Sequence, residues 1–273
     1  MARPAAVAFD VIGTLMDLEP LRALLADIGQ PPHLLEQWYA RTIRDGMALS
    51  ATGDYAEFPD VAASALREIT GHTISDAQVA KMLSGISSLP AFPDVVPACE
   101  RLRAAGVRVA LLTNGAARPV TAFVSRSGLE PHVDRVISIS EVQRWKPWAI
   151  VYRYAAEVLG VDPADLAFVA AHPWDTHGAK RAGLRTAYVS RRAPIFPGAP
   201  TFPSAPFSPG DAPSPSTSAS PSAPAAPVVP GGSGAGATSD AGGYPAIFAP
   251  PDVVAPDLVA AVEALLGDVS AAA

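Results

Sequence analysis

The stretch VAFDVIGTLMD, residues 7–17, runs from an apolar strand directly into a carboxylate. Residues 7–9 are typical of a buried strand, and Gly13 with Thr14 is typical of a turn. Asp10 stands between them, where it either caps the turn or serves a chemical purpose. Two positions later, Ile12 places an apolar side chain where a second polar group could stand. The roles of Asp10 and Ile12 depend on which other residues of the chain lie near this end of the strand.

The chain after residue 106 alternates apolar runs with amphipathic segments. Four apolar runs predict further strands: VRVALLTN (107–114), RVISIS (135–140), LAFVAAH (166–172) and RTAYVS (185–190). The segments between them, RPVTAFVSRSG, AIVYRYAAEVLG and THGAKRAG, predict helices that each end at a glycine. Since strand–helix–strand crossovers are right-handed, the pattern predicts an α/β fold with a doubly wound, Rossmann-like parallel sheet.

Between the first two predicted strands lie more residues than one crossover helix needs. Their apolar spacing predicts helices throughout, in the segments EPLRALLADIG, HLLEQWYARTIRDGMALS, YAEFPDVAASALREITG and SDAQVAKMLSGI. We interpret residues 18–93 as an inserted, all-helical cap above the strand ends, which implies a binding site beneath it. The core is then made of residues 1–17, 94–192 and 244–273.

Residues 193–243 consist mostly of Pro, Ser, Ala and Gly, with Asp211 and Asp240 as the charged residues. Such a segment buries too little apolar surface to offset the entropy of ordering, so it is predicted to be a disordered insertion. Its prolines also leave open a docking site for a partner. The segment DLVAAVEALLGDV that follows has helical spacing and a glycine stop, so the insertion interrupts the core near its end.

The composition excludes several classes of partner. A net charge of −6 argues against nucleic acid or an anionic membrane surface as the main partner. The first nine residues are too short for a signal peptide, and no apolar run is long enough to span a membrane. The single cysteine, Cys99, lies in a predicted amphipathic helix and is expected to be a small core residue. A cytoplasmic protein is expected.

Chemically active side chains follow four of the predicted strands. Reactive groups in doubly wound sheets gather at the carboxyl ends of the strands, so these residues are expected to converge on one cleft. Each one alone has an ordinary explanation, such as turn formation or a solvated charge, but their common position favours a catalytic site. The residues are Asp10, Thr113, Asn114, Lys146, His172 and Asp175.

The motifs FDVIGTL, LLTNG, WKP followed by VY, and HPWD resemble the four motifs of the haloacid dehalogenase superfamily. Within it they most resemble the type II group that acts on L-2-haloacids, and the resemblance covers residues 5–192 and 244–268. It implies that Asp10 is a nucleophile that forms an ester with the substrate. It also implies that Lys146 keeps Asp10 ionised, that Thr14 hydrogen-bonds near Asp10, and that Asp175 helps to activate water.

The same resemblance implies a set of substrate-binding residues. Thr113, with backbone N–H groups after Asp10, would hold the substrate carboxylate. Asn114, Trp174 and an arginine of the cap would form the halide pocket. Arg41 is preferred for that arginine, with Arg44 as the alternative. Two further residues complete the set, Tyr152, which either reaches the site or is a packed aromatic, and Ile12, which shapes the pocket.

This chain departs from the type II pattern at two places. By resemblance, position 12 is usually a Tyr that packs against the substrate, and Ile12 leaves a differently shaped pocket; the motif after the fourth strand also differs. Ile12 bears on the phosphatase alternative as well. Phosphatases of the superfamily carry a second Asp two residues after the nucleophile to protonate the leaving alkoxide, and here that residue is Ile12. A halide leaves without a proton, so Ile12 favours a dehalogenase and helps to desolvate the nucleophile. The type II pattern Ser-Ser-Asn-x-Trp-Asp is replaced by AAHPWD, in which Ala170 removes a hydroxyl and His172 replaces an amide. We hypothesise that His172 works with Asp175 to activate water.

The main hypothesis is a hydrolytic dehalogenase of small (S)-2-haloacids that gives the inverted 2-hydroxyacid. It needs a small-molecule substrate and neither a cofactor nor a metal. One alternative is a Mg²⁺-dependent phosphatase of the same superfamily with Asp10 and Asp175 as metal ligands. Another is a non-catalytic member that meets partners through its proline-rich segment. A homodimer is possible by resemblance, although no stretch of the sequence identifies an interface.

Overall fold

The computed structural model describes residues 3–191 and 244–267. Its centre is a six-stranded sheet with the strand order β3-β2-β1-β4-β5-β6, and every pair of neighbouring strands is parallel. The predicted doubly wound sheet is therefore confirmed. The strands are β1 (Ala6–Phe9), β2 (Arg108–Thr113), β3 (Arg135–Ser138), β4 (Leu166–Ala170), β5 (Arg185–Val189) and β6 (Val253–Ala255).

The register of the central strands decides where the polar strand ends meet. Phe9 of β1 lies opposite Leu111 of β2 on one side and Val169 of β4 on the other. All residues of β1 are buried, as expected for a parallel strand covered on both faces. Because β1 is central, the residue after it, Asp10, lies between the loops that leave β2 and β4.

Five helices accompany the strands of the core. Two of them end at the predicted glycine, since Gly160 and Gly267 take left-handed conformations at the ends of their helices, with φ of 60° and 78°. Cys99 is buried in the first of these helices, in agreement with its predicted place in the core. The helices are α5 (Val95–Ala104), α6 (Ala117–Arg126), α7 (Ala149–Leu159), α8 (Pro173–Arg181) and α9 (Leu258–Leu266).

Four helices between β1 and β2 match the helices predicted for the cap. They are α1 (Pro20–Asp27), α2 (Leu34–Thr52), α3 (Phe58–Ile69) and α4 (Asp76–Ile86). Buried Trp38 joins α2 to α3 by donating a hydrogen bond from Nε1 to the carbonyl of Ala62, at 2.8 Å. Trp145 of the core packs under the same helices, stacks on Phe58 and donates its backbone N–H to Ser50 at 2.8 Å. The cap is thus attached to the loop that carries Lys146.

The structure differs from the sequence prediction at the end of β4 and beside β5. The predicted strand 166–172 ends at Ala170, and α8 begins at Pro173, three residues earlier than predicted. A sixth strand, β6, was not predicted, and it extends the sheet beyond β5. The predicted disordered insertion 193–243 lies outside the described residues. Within the two described ranges, no helix combines the length and the apolar character needed to cross a membrane.

Candidate active site

Asp10 lies at the carboxyl end of β1 with 4% of its surface exposed. Both of its carboxylate oxygens accept hydrogen bonds. Oδ1 lies 2.6 Å from Nζ of Lys146, while Oδ2 accepts from the hydroxyl of Thr14 at 2.6 Å and lies 3.0 Å from Nδ1 of His172. Thr14 in turn accepts the backbone N–H of Ala171 at 2.9 Å, so the loop after β4 is held against the loop after β1.

Lys146 connects two carboxylates in the interior of the protein. Its ammonium lies 2.6 Å from Asp10 and 2.7 Å from Asp175, and it also donates to the carbonyl of Leu112 at 3.2 Å. Burial alone would lower the pKa of Lys146, but the charges of Asp10 and Asp175 raise it above its usual value. The side chain is therefore a fixed positive charge between the two acids.

The two acids have opposite pKa shifts although they share this lysine. Burial would raise the pKa of Asp10, but the charge of Lys146 and the hydrogen bond from His172 together hold it below its usual value. In Asp175, burial outweighs the attraction of Lys146, and the charge of Asp10 adds to it, so the pKa is raised. Asp10 is consequently the acid that stays ionised, which a nucleophile requires.

Helix α8 and helix α7 together fix the orientation of Asp175. Asp175 lies in the first turn of α8 and is fully buried. Its Oδ1 accepts a hydrogen bond of 2.5 Å from the hydroxyl of Tyr152, which is buried on α7. Burial and the neighbouring Asp175 raise the pKa of Tyr152 well above its usual value, so its hydroxyl is a donor. Tyr152 reaches the site through Asp175.

The loop after β2 carries Thr113 and Asn114 to the same place. The Asn114 carbonyl Oδ1 accepts the backbone N–H of Lys146 at 3.1 Å, and the Thr113 hydroxyl accepts that of Gly115 at 2.9 Å. Ser138 at the end of β3 donates to the carbonyl of Gly115 at 2.9 Å. Ser138 was not predicted from the sequence as a site residue, although it lies at a strand end like Asp10, Thr113 and Asn114.

His172 contacts Asp10, whereas the sequence analysis paired it with Asp175. Its buried ring lies against two aromatic side chains, with ring centroids 5.7 Å from Tyr39 and 5.4 Å from Trp174. Because Gly13 has no Cβ, the imidazole can approach the turn after β1; a Cβ there would lie 3.1 Å from Cε1 and Nε2 of His172. Asp10, His172 and Asp175 have possible ligand atoms within 4.8 Å of one another. Among the residues that the structure describes, they form the group that could hold a metal ion.

Tyr39 on α2 is a site residue that the sequence analysis missed. Its hydroxyl donates to the backbone carbonyl of Ile12 at 3.2 Å, and its ring lies against His172. The two arginines predicted nearby have other partners: Arg41 forms an ion pair with Glu68 of α3, and exposed Arg44 pairs with Asp45. Tyr39 lies only two positions before Arg41, and its aromatic ring on a cap helix was the available signal.

Comparison with known proteins identifies the family to which this chain is similar. Residues 4–183 match the family described as haloacid dehalogenase-like hydrolase. An (S)-2-haloacid dehalogenase of Xanthobacter autotrophicus is 31% identical over 192 residues, which is 68% of this chain and 75% of the relative. An (S)-2-haloacid dehalogenase of Pseudomonas sp. (strain YL) is 28% identical over 195 residues, 70% of this chain and 84% of the relative.

A solved structure has a similar fold. The L-2-haloacid dehalogenase of Xanthobacter autotrophicus with chloropropionic acid covalently bound has a TM-score of 0.64 and 30% sequence identity. The match covers 70% of this chain and 78% of that one. The family match and these relatives together identify the family of this chain, and a buried lysine that joins two carboxylates at the strand ends fits that family. The chain belongs to the haloacid dehalogenase-like hydrolase family.

Proposed function

We propose that this protein is a hydrolase that removes halide from small (S)-2-haloacids through an ester on Asp10. The observation that carries the proposal is the buried pair of Asp10 and Lys146, 2.6 Å apart, with Ile12 in place of a second acid. The names of the relatives support this reaction class and this enantiomer. Hydrolysis of a carbon–halogen bond is the reaction that needs an ionised nucleophile but no acid for the leaving group.

In the first step, an oxygen of Asp10 attacks C2 of the substrate from the side opposite the halogen. The C2–halogen bond breaks, the halide leaves with the bonding electron pair, and an ester joins Asp10 to C2 with inverted configuration. The depressed pKa of Asp10 keeps it ionised for this attack. Thr14 and Lys146 hold the carboxylate in one orientation, so little reorganisation is needed when it reacts.

Polar groups around Asp10 would bind the two negative ends of the substrate. The hydroxyl of Thr113 accepts a bond from Gly115, which leaves its own O–H to donate to the substrate carboxylate. Asn114 uses its carbonyl oxygen on Lys146, which leaves its amide N–H groups for the departing halide. Trp174 would flank the halide beside them. Arg41 and Arg44 would have to leave Glu68 and Asp45 to take part in halide binding.

In the second step, water attacks the carbonyl carbon of the Asp10 ester. The bond between this carbon and the ester oxygen breaks, which releases the 2-hydroxyacid and restores the carboxylate, and one proton is lost. We assign the activation of this water to His172, acting beside Asp175. If Nδ1–H of His172 donates to Asp10, Nε2 carries the free lone pair and can accept the proton.

The alternative of a magnesium-dependent phosphatase fits these residues poorly. Each carboxylate oxygen of Asp10 and Asp175 already accepts a hydrogen bond, and Lys146 lies between the two acids. A magnesium ion prefers six oxygen ligands in octahedral geometry, so it would have to displace the ammonium. The acid needed for an alkoxide leaving group is also replaced by Ile12.

The test is halide release from the two enantiomers of 2-chloropropionate in the presence of a chelator. We expect chloride release from the (S) enantiomer by the wild type and none by Asp10→Asn, with (R)-2-hydroxypropionate as the product. Thr121→Val, a change at an exposed residue of α6, is the control for general damage to the protein. Activity that disappears with the chelator, or that survives in Asp10→Asn, would contradict the proposal.

A further inference from the structure

A cavity that the reaction on a small haloacid does not require is lined by Ile12, two residues after Asp10, and by Gly115, which follows Asn114. Its volume is about 280 Å³, and it lies between the cap and the core. Its walls come from the loop after β1, from α3 and α4, and from the start of α6. The apolar side chains of its lining include Ile12, Met16, Phe58, Leu83, Ala116 and Val120.

The position of this cavity links it to the site. Ile12 follows Asp10 by two residues, and Gly115 directly follows Thr113 and Asn114. A ligand held between Asp10 and the loop after β2 therefore has the cavity at its side. A Cβ on Gly115 would lie 3.7 Å from Cδ1 of Ile12 and 3.2 Å from the hydroxyl of Thr113. Because Gly115 has no Cβ, the space between Thr113 and Ile12 at this point is not filled by a side chain.

The chemistry of the cavity is almost entirely apolar. Its polar side chains, Ser84 and Ser87, belong to exposed residues at the end of α4 and so lie at the rim. The deep wall is formed by buried Ile12, Met16 and Val120. An apolar cavity of about 150 Å³ is large enough to bind benzene, so this one has room for a ring or an extended alkyl chain.

We propose that the cavity binds the substituent on C2 of the substrate, and that the preferred substrates are (S)-2-haloacids with an alkyl chain of four or more carbons on C2 or with an aromatic substituent. This inference rests on the proposed function, because it places C2 of a haloacid at Asp10. The ionic groups around Asp10 hold the carboxylate and the halogen, and the third substituent enters the cavity. Each methylene buried there strengthens binding by about fourfold.

The first measurement compares kcat/KM for (S)-2-chloropropionate, (S)-2-chlorobutanoate and (S)-2-chlorohexanoate. We expect kcat/KM to rise at least tenfold from the first substrate to the third. In Ala116→Leu, whose added carbons enter the cavity, the value for chlorohexanoate should fall at least tenfold and that for chloropropionate should change less than twofold. Ala117→Leu makes the same change one residue further on, outside the lining, and should alter neither value.

A second measurement separates failure of this inference from failure of the proposed function. Isothermal titration with hexanoate and propionate, which carry no halogen, reports binding without the reaction. Tighter binding of hexanoate that is lost in Ala116→Leu supports the cavity as a binding site even if no haloacid is hydrolysed. Equal kcat/KM along the chloroacid series, or equal affinity for the two acids, would overturn the inference while chloropropionate hydrolysis still supported the proposed function.

Discussion

At the scale of the residue, the environment makes two chemically identical acids different. Asp10 and Asp175 each lie within 2.7 Å of Nζ of Lys146, yet the pKa of Asp10 is lowered and that of Asp175 is raised. For Asp10, the charge of Lys146 and the hydrogen bond from His172 overcome the effect of burial, so its pKa is lowered. For Asp175, the charge of Asp10 adds to the effect of burial, and together they outweigh Lys146 and Tyr152, so its pKa is raised. Environments that push two pKa values apart often distinguish a nucleophile from a proton acceptor.

His172 provides the prediction at this scale. If it activates the water that attacks the Asp10 ester, His172→Gln should slow the second step by roughly 10²- to 10⁴-fold. The first step should be less affected, so the ester should accumulate. A burst of one chloride per protein, followed by slow release, would be measured by stopped-flow, and intact-protein mass spectrometry would detect the ester.

His177→Gln is the matched control for this experiment. His177 lies on the same helix, α8, and its Nδ1 accepts the backbone N–H of Ala249 at 2.9 Å. Its loss should leave the kinetics of both steps almost unchanged. Full turnover by His172→Gln without accumulation of the ester would exclude a role for His172 in water activation, and its contact with Asp10 would then serve orientation only.

At the scale of the element, helix α8 positions two residues of the site. His172 precedes its first residue, and Asp175 lies in its first turn. The chain that follows the 193–243 segment holds this helix in place, because Tyr244 donates to the carbonyl of Pro173 at 3.2 Å. The far side of α8 packs against the loop that carries Lys146, at Gly178.

Gly178→Ala tests this contact. A Cβ on Gly178 would lie 2.4 Å from Cβ of Pro147, 2.8 Å from the Pro147 carbonyl oxygen and 2.8 Å from the Tyr152 hydroxyl. Since Pro147 contributes backbone and a rigid ring, α8 must move away and the hydrogen bond from Tyr152 to Asp175 must lengthen. We expect a loss of roughly 1–3 kcal/mol in the free energy of unfolding, despite the better helix propensity of Ala, and a lower kcat.

The matched control is Gly85→Ala on α4. There the nearest atom to an added Cβ is the terminal Cδ1 of Leu24, at 2.1 Å, and this half-buried side chain can change its rotamer. Chemical denaturation should therefore show a smaller loss for Gly85→Ala than for Gly178→Ala, and chloride release should be unaffected. Equal losses in the two variants would mean that α8 can shift at little cost and that its position is not critical.

At the scale of the whole molecule, the sequence was informative where the pattern was periodic or local. Apolar runs that alternate with amphipathic segments predicted strands β1 to β5. Apolar residues at helical spacing predicted α1 to α4. The position of Asp10, Lys146 and Asp175 after strands predicted that they would meet, because parallel strands end at one edge. Strand β6 was not predicted, because its three apolar residues lie next to prolines and are too few to form a recognisable strand pattern.

Features that depend on how the elements dock were not predictable in the same way. Tyr39, Arg41 and Arg44 lie within two turns of α2, and their spacing alone does not say which of them faces the site. The docking of the cap turns Tyr39 toward Ile12, while Arg41 meets Glu68 on the neighbouring helix. The partner of His172 was likewise uncertain, since it depends on where the loop after β4 ends and α8 begins.

The buried charges of Lys146, Asp10 and Asp175 make the pH dependence of stability a prediction for the whole fold. Asp10 has a lowered folded pKa, so its stabilisation is present above its unfolded pKa of about 4 and is lost as the pH falls through the folded value. Lys146 has a raised folded pKa, so its stabilisation is present below about pH 10 and is lost as the pH rises through the folded value. The folded pKa of Asp175 is raised, so its contribution to stability changes with pH in the direction opposite to that of Asp10.

Lys146→Met should reverse the balance of these contributions. It leaves two buried carboxylates without a counter-charge, which we expect to cost roughly 3–5 kcal/mol of unfolding free energy at pH 7. Both acids then have raised folded pKa values, because burial and mutual repulsion favour the protonated forms. The folded state binds more protons than the unfolded state, so the stability of the variant should increase as the pH falls from 8 to 5. Urea denaturation at each pH measures this slope.

Lys81→Met is the control, because Lys81 pairs with Asp27 across exposed side chains at 3.2 Å. Its loss should change the unfolding free energy by about 1 kcal/mol or less and leave the pH slope of the wild type in place. If Lys146→Met instead lost stability on acidification from pH 8 to 5, Asp10 and Asp175 would not be buried against one ammonium. The site would then hold its charges apart, and the depressed pKa of Asp10 on which the nucleophilic attack depends would need another source.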